Sequence, residues 1–299
     1  MAWLYDVLLS PFIEFGFMRR ALLGSLLLSL SACPVGVFLT LRRMSLMGDA
    51  MSHAILPGAA VGFLLYGLEI IPMTVGGMVA GLLVALAAGA VSRMTIQKED
   101  ASLAAFYLIS LALGVLVVSL RGSSVDLMHV LFGTVLALNA EALGLIALVA
   151  LVTLLALLLF WRALMAECLD PLFLRSVSRL GSPVHFLFLG LVVLNLVAGY
   201  QALGTLLSVG LMILPAVTAR FWARRVISMS LLSVLLGIVA CTSGLLFSFH
   251  FSLPSGPAII LAAGVFYLFS TFAVMVKHAR PLPRSSRKAN PRVPLSGSE

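Results

Sequence analysis

Long apolar runs separated by short clusters of charge set the pattern of this chain. The first run is Ala21–Leu41, closed by Arg42-Arg43. The second spans about residues 50–67 and the third about 71–91, before a charged loop of Arg93, Lys98, Glu99 and Asp100. The fourth is Ala101–Leu120, and a mixed stretch with Arg121, Asp126, His129 and Asn139 follows. The fifth runs from Ala142 to Trp161, ahead of a polar stretch from Arg162 to Pro183. The remaining four are Val184–Tyr200, Leu203–Ala219, Val226–Phe249 and Pro257–Val276. A bilayer core takes about 20 apolar residues per helix. The alternating segments of about 10 residues that a β-barrel needs are absent. The pattern predicts an all-α, polytopic transmembrane helical bundle with eight or nine spans, the lower number if two runs form one broken element. Residues 3–18 are apolar but too short to span and read as an interfacial segment. The expected division is a segment over 1–20, a membrane domain over 21–276 and a basic tail over 277–299. That tail is rich in Pro, Ser and Arg and is expected to be disordered.

Composition agrees with a membrane location. Of 299 residues, 62% are hydrophobic and 10% charged, against about 25% charged in a soluble domain. The net charge of +8 does not point to nucleic acid, because the basic residues collect between apolar runs rather than along one soluble face. With nine spans, Arg42-Arg43, the 93–100 loop, the 162–182 loop, Arg220–Arg225 and the tail all fall on one side. The excess of Lys and Arg in cytoplasmic loops then places the C-terminus in the cytoplasm, with Arg19-Arg20 as a mild violation outside. Cys33, Cys168 and Cys241 are too far apart in sequence to suggest a disulfide framework or thiolate metal site, and read as packing residues. The N-terminus is a poor signal peptide, with Asp6 and Glu14 but no leading basic region.

The stretch from Gly48 to Gly58 carries the most chemistry. Asp49 and His53 lie within or at the start of an apolar run, where ionisable groups are costly and usually mark a pathway or a site. Their i, i+4 spacing puts both on one helix face. A carboxylate oxygen and an imidazole nitrogen are ordinary ligands for Zn²⁺ and related divalent metals. Pro57 has no N–H for the carbonyl of His53, so with Gly58 it predicts a helix break beside the ligands. Gly58 and Gly62 have the spacing for close helix approach. The plainer reading is that Asp49 caps the helix and His53 bonds a neighbour. Two residues do not complete a four-ligand site, so the rest would come from elsewhere or from a second copy. His129 and His250 read as wet outer-end histidines; His185 opens a span and His278 lies in the tail. Asp126 and Glu141 read as solvated loop acids or as an outer vestibule attracting cations. There is no GxxxxGK[ST] phosphate loop, nucleophile elbow or HExxH, so the chain does not read as an enzyme.

The sequence Leu41-Arg42-Arg43-Met44-Ser45-Leu46-Met47-Gly48-Asp49-Ala50-Met51-Ser52-His53-Ala54-Ile55-Leu56-Pro57-Gly58 resembles the signature of the membrane permeases of bacterial ABC importers for zinc, manganese and iron, the ABC-3 family. The stretch from Gln201 to Arg220, with Gly204 and Pro215, is similar to a second signature. Weaker echoes are Leu131-Phe132-Gly133 and Leu253-Pro254-Ser255-Gly256-Pro257. The likeness covers about residues 20–276. It departs at a short cytoplasmic motif of Asp, Ala and Gly: here Asp170 and Gly181 stand farther apart and no matching Ala is evident.

The resemblance implies a division of labour. A periplasmic or lipid-anchored metal-binding protein would deliver the ion, two copies of this chain would form the path as a homodimer, and two cytoplasmic ATPase subunits would drive it. The absent phosphate loop fits, since ATP chemistry then sits on a partner. No permanently bound cofactor is expected; the divalent metal is cargo. Two copies would bring four ligands, two Asp49 and two His53, the number a tetrahedral ion takes. Asp170 and Gly181 would couple the chain to the ATPase. The bacterial cytoplasmic membrane is the expected location, with no nucleic-acid partner. The principal alternative is a proton-coupled secondary metal transporter with Asp49 and His53 as its relay. An intramembrane enzyme would need a catalytic set that the sequence lacks, and import of a chelated metal is a variant within the family.

Overall fold

The computed structural model describes residues 10–67, 69–96, 99–120, 138–169 and 181–279. Among them the chain forms ten α-helices and no strand: α1 Ser10–Glu14, α2 Gly16–Leu41, α3 Met47–Tyr66, α4 Ile70–Met94, α5 Glu99–Leu120, α6 Ala140–Leu169, α7 Gly181–Leu203, α8 Thr205–Trp222, α9 Val226–Phe251 and α10 Ser255–Ala279. Eight of these, α2–α4 and α6–α10, are long and apolar enough to cross a membrane by length and composition; in α5 the apolar stretch is the shorter Asp100–Gly114. Nine apolar runs thus become nine helices, α2 to α10. The seventh run is set off from the sixth by Gly204, whose φ of 92° turns the chain between α7 and α8. Without a Cβ, glycine adopts that left-handed backbone at little steric cost.

Two boundaries differ from the sequence reading. α2 starts at Gly16, so Arg19 and Arg20 lie inside the first long helix, where both are exposed. The polar stretch after Trp161 does not leave the helix: α6 continues through Arg162 and Glu167 to Leu169. Residues 162–169 are mostly good helix formers, and the reason for the polar ones emerges below.

α2 and α7 form the centre of the bundle. α2 packs against α6, α7, α8 and α9, and α7 against α2, α3, α4, α6 and α8. In lipid there is no hydrophobic drive between helices, so close packing of small residues carries the association. Gly36 of α2 leaves no room for a side chain against the Met212 carbonyl of α8, and Gly237 of α9 lies against Ser29 and Cys33 of α2. Cys33 donates to the Leu211 carbonyl at 3.3 Å and Ser29 lies 3.6 Å from the Cys241 sulfur. All three cysteines are free, and Cys33 and Cys241 serve as buried packing residues. Buried hydroxyls return their hydrogen to the preceding turn, as Ser31 does to Leu28 and Thr218 to Leu214. This is how polar groups are satisfied in a helix that water does not reach. Between α6 and α7, buried Asn195 donates to Thr153 at 2.9 Å.

The outward faces are apolar. On α10, Leu261, Val265, Leu268 and Phe272 are exposed at helical spacing, and on α6 Leu148, Leu151, Leu155 and Leu159 are. Such stripes suit acyl chains. α3 and α4 interlock by glycine: a methyl group on Gly58 would fall on the Gly76 carbonyl, one on Gly76 on the Gly58 carbonyl, and one on Gly62 on that of Pro72. The close approach expected of Gly58 and Gly62 is therefore made against α4.

Candidate metal site

The site is built on a turn. α2 ends at Leu41, and the Arg43 and Met44 amides bond back to the Thr40 and Leu39 carbonyls at 3.2 and 3.0 Å. This is the pattern of a Schellman stop, which needs one residue in left-handed backbone. Arg43 takes it with φ 59° where glycine is usual. Arg220 of α8 donates to the Thr40 carbonyl at 3.2 Å, so a second helix end holds the stop. The chain then turns back, with Met44 and Met47 buried as anchors, and α3 starts at Met47.

The register of α3 against its neighbours gives its depth. Gly48 lies against Val209, Met212 and Ile213 of α8. Met212 precedes Arg220 by eight residues, about 12 Å at 1.5 Å per residue. Independently, Ile55 fills the space over Gly77 and Gly81 of α4. Gly81 precedes Arg93 by twelve residues, about 18 Å. Asp49 and His53 therefore sit roughly 12–15 Å inside the level of the basic helix ends, deep within the bundle's span. The loop of Arg42–Leu46 climbs this distance, which sequence alone did not reveal.

Asp49 and His53 share one face of α3. His53 Nε2 lies 3.9 Å from Asp49 Oδ1, too long for a hydrogen bond and short enough for one ion to bridge the two. The Asp49 side chain is 70% exposed and that of His53 33%. A carboxylate this far from the basic helix ends, and open to the outside of a membrane-spanning chain, requires a water-filled path, a cation or a second protein surface. The His53 ring lies 6.4 Å from that of Tyr107 on α5. Ser52 is turned away and donates to the Asp49 carbonyl at 2.7 Å. Among the described residues no third His, Cys, Asp or Glu joins the pair. The described chain thus offers one oxygen and one nitrogen ligand, half of a tetrahedral set.

Pro57 and Gly58 do not break the helix. α3 runs unbroken from Met47 to Tyr66 with Pro57 inside. The packing explains this: Pro57 is buried against Gly114 of α5, Gly58 is locked to Gly76, and Ser110 of α5 donates to the Ala54 carbonyl at 3.0 Å. Neighbouring helices hold this turn in place, and Ser110 serves the adjacent Ala54 carbonyl, as membrane helices allow. The missing N–H of Pro57 still leaves the His53 carbonyl without its usual intrahelical donor.

Of the other residues singled out in the sequence, Glu141 is exposed in the first turn of α6. His250 is exposed near the end of α9, its Nδ1 2.9 Å from the Leu246 carbonyl. Neither approaches Asp49 or His53 within any ion pair or ligand group of the described residues. Asp126, His129, Asp170 and the Leu131-Phe132-Gly133 echo lie outside the described residues. Gly181 is the first residue of α7.

A second constellation escaped the sequence reading. Glu167, in the last turn of α6, has a side chain only 2% exposed. Its Oε1 accepts from Arg42 Nη2 at 3.1 Å and from Arg93 Nη2 at 3.2 Å. The two arginine side chains are 8% and 12% exposed. His185 of α7 places Nδ1 3.1 Å from Arg42 Nη2. Because a guanidinium only donates, Nδ1 is the acceptor and carries no proton in this geometry. The 3.7 Å approach of the same Nδ1 to Glu167 Oε1 is then a contact between two acceptors, tolerated because Arg42 sits against both. Arg42 also stacks on Phe188 and Arg93 on Phe186, at 4.9 and 5.4 Å from the ring centres. Four helix ends, those of α2, α4 and α6 and the start of α7, meet at one carboxylate. The signal available in the sequence was a lone acid three residues before the 170–180 connection; its burial is a tertiary property.

Comparison with known proteins agrees with the fold. The chain is 36% identical over 259 residues to the manganese import system permease protein ScaB of Streptococcus parasanguinis, covering 87% of this chain and 91% of that one. It is 32% identical over 285 residues to the chelated iron transport system membrane protein YfeD of Yersinia pestis, covering 94% and 92%. The solved structure of PsaBC from Streptococcus pneumoniae in complex with Fab superposes with a TM-score of 0.77 at 34% identity, over 89% of this chain and 94% of that one. The model of the ABC 3 transport family matches residues 14–274, from the end of α1 to within the last turns of α10, and this multi-pass membrane protein belongs to that family.

Proposed function

We propose that this chain is the permease subunit of an ATP-driven importer and passes a divalent transition metal into the cytoplasm through a site that Asp49 and His53 help to form. The observation that carries the reading is a carboxylate and an imidazole on one face of a candidate membrane span, 3.9 Å apart and open to the outside of the chain. Relatives named for manganese and for iron support those two metals, and oxygen and nitrogen ligands suit both, as they suit zinc. The half-site fits a homodimer: a two-fold axis beside α3 would bring two Asp49 and two His53 around one ion. ATP hydrolysis belongs to a separate subunit, and a periplasmic or lipid-anchored protein delivers the ion. The basic end of the bundle faces the cytoplasm of a bacterial cell membrane, and the 170–181 connection between α6 and α7 meets the ATPase there.

Radiometal uptake into proteoliposomes holding the whole complex tests the site. Asp49→Asn keeps the shape and removes the charge that offsets the cation; His53→Ala removes a ligand and leaves α3 more apolar. Both variants insert normally and lose uptake. Protons compete with metal for an imidazole, so uptake by the parent falls on acidification. Parental rates in both variants would place the site elsewhere. Uptake that needs no ATPase and follows a pH gradient would replace the importer with a secondary transporter.

A further inference from the structure

We propose that Glu167 is the positioning residue that links the ATPase-facing end of the permease to the metal site. This rests on the import reading above. The path is short and covalent except at one step. Glu167 stands three residues before the 170–180 connection, and His185 five residues after it. From Glu167 the path crosses to Arg42 through a single 3.1 Å ion pair. Arg42 begins the turn that ends at Met47, and Asp49 follows in the first turn of α3. A displacement of the α6 end therefore either carries Arg42, and with it the mounting of Asp49, or breaks the pair.

The cluster is suited to two states rather than to gradual yielding. Glu167 Oε1 takes both arginines, while Oε2 has no hydrogen-bond partner among the described residues. A buried carboxylate half served in this way depends on its two cations. If the helix ends part without water, three charges are left unpaired in a dry environment, which is strongly unfavourable. They part only when water enters. The closed cluster thus seals this end of the bundle, and its wetting accompanies opening. Coupling of this kind is reciprocal: ion binding at Asp49 biases the cluster as much as the cluster biases the site.

The test uses the full complex in proteoliposomes, with metal uptake and ATP hydrolysis measured together. Glu167→Gln keeps the volume and removes the charge. ATP hydrolysis continues, and the metal moved per ATP falls about tenfold or more. Adding Arg42→Met to Glu167→Gln lowers the ratio no further, because the two act as one pair. A purely structural role would lower uptake and hydrolysis together, with the ratio unchanged, and would overturn the proposal. A native reporter decides the matter should the variants fail to assemble. Cys168 is half-buried beside Glu167, whereas Cys33 and Cys241 are buried. In the unmodified complex, N-ethylmaleimide should label Cys168 several-fold faster in one of two states, nucleotide-free or vanadate-trapped. Equal rates in both would refute a cluster that opens. Absence of uptake by the unmodified complex would instead overturn the import reading itself.

Discussion

Arg42 and Arg43 are neighbours in sequence and opposites in environment. The Arg42 side chain is only 8% exposed, bonded to Glu167 and His185 and stacked on Phe188; Arg43 is exposed in left-handed backbone. Replacing Arg42 by Met leaves Glu167 with one cation, and breaking a buried pair in this way costs about 3 kcal/mol. Replacing Arg43 by Gly relieves a strained φ and is neutral or stabilising by up to about 1 kcal/mol. Thermal inactivation of the purified protein in detergent should separate the two, with Arg42→Met lower and Arg43→Gly at or above the parent. In the sequence both looked like ordinary basic residues closing a span. Charge was legible; burial was not, because Glu167 lies 125 residues from Arg42. Asp49 and His53 were legible for the opposite reason: their pairing is local, one helical turn, and their oddity is to stand in an apolar run.

At the scale of helices, α3 and α4 behave as one body. The three close approaches at Gly58, Gly62 and Gly76 leave no space for a side chain. Gly76→Val should separate the helices and cost several kcal/mol, as overpacking of a tight contact does at its upper end. Gly264→Val on α10, where nothing lies within 4 Å of an added Cβ, should leave the unfolding temperature almost unchanged. The connection between α6 and α7 makes a different kind of prediction. Replacing Asp170 and Gly181 should leave the permease folded while uncoupling ATP hydrolysis from uptake; normal uptake with normal stimulation of the ATPase would remove that role. The runs that became helices were readable because twenty apolar residues in lipid have one economical conformation. The end of α6 was not, since a polar segment reads as a loop until its tertiary partners are known.

For the molecule as a whole, the ends of α2, α4, α6 and α8 and the start of α7 gather on one face, joined by Glu167 and by the Arg220–Thr40 bond. An excess of basic residues on that face predicts that it is cytoplasmic, and the tail after Val276 with it. A C-terminal reporter active only in an oxidising exterior should be silent; activity there would invert the orientation and, with it, the side on which an ATPase is proposed to bind. The glycine lock between α3 and α4 also bears on how the protein is made. Of the candidate spans α3 is the least apolar, and its first turn carries a carboxylate, Asp49. As a lone segment leaving the ribosome it is a poor substrate for insertion. α4 follows after a short link at Gly67–Glu69 and is far more apolar. The two would enter the membrane as a hairpin, with α4 carrying its weaker neighbour in, so lesions in the glycine seam should appear first as chains that fail biogenesis and only afterwards as transporters that fail to transport.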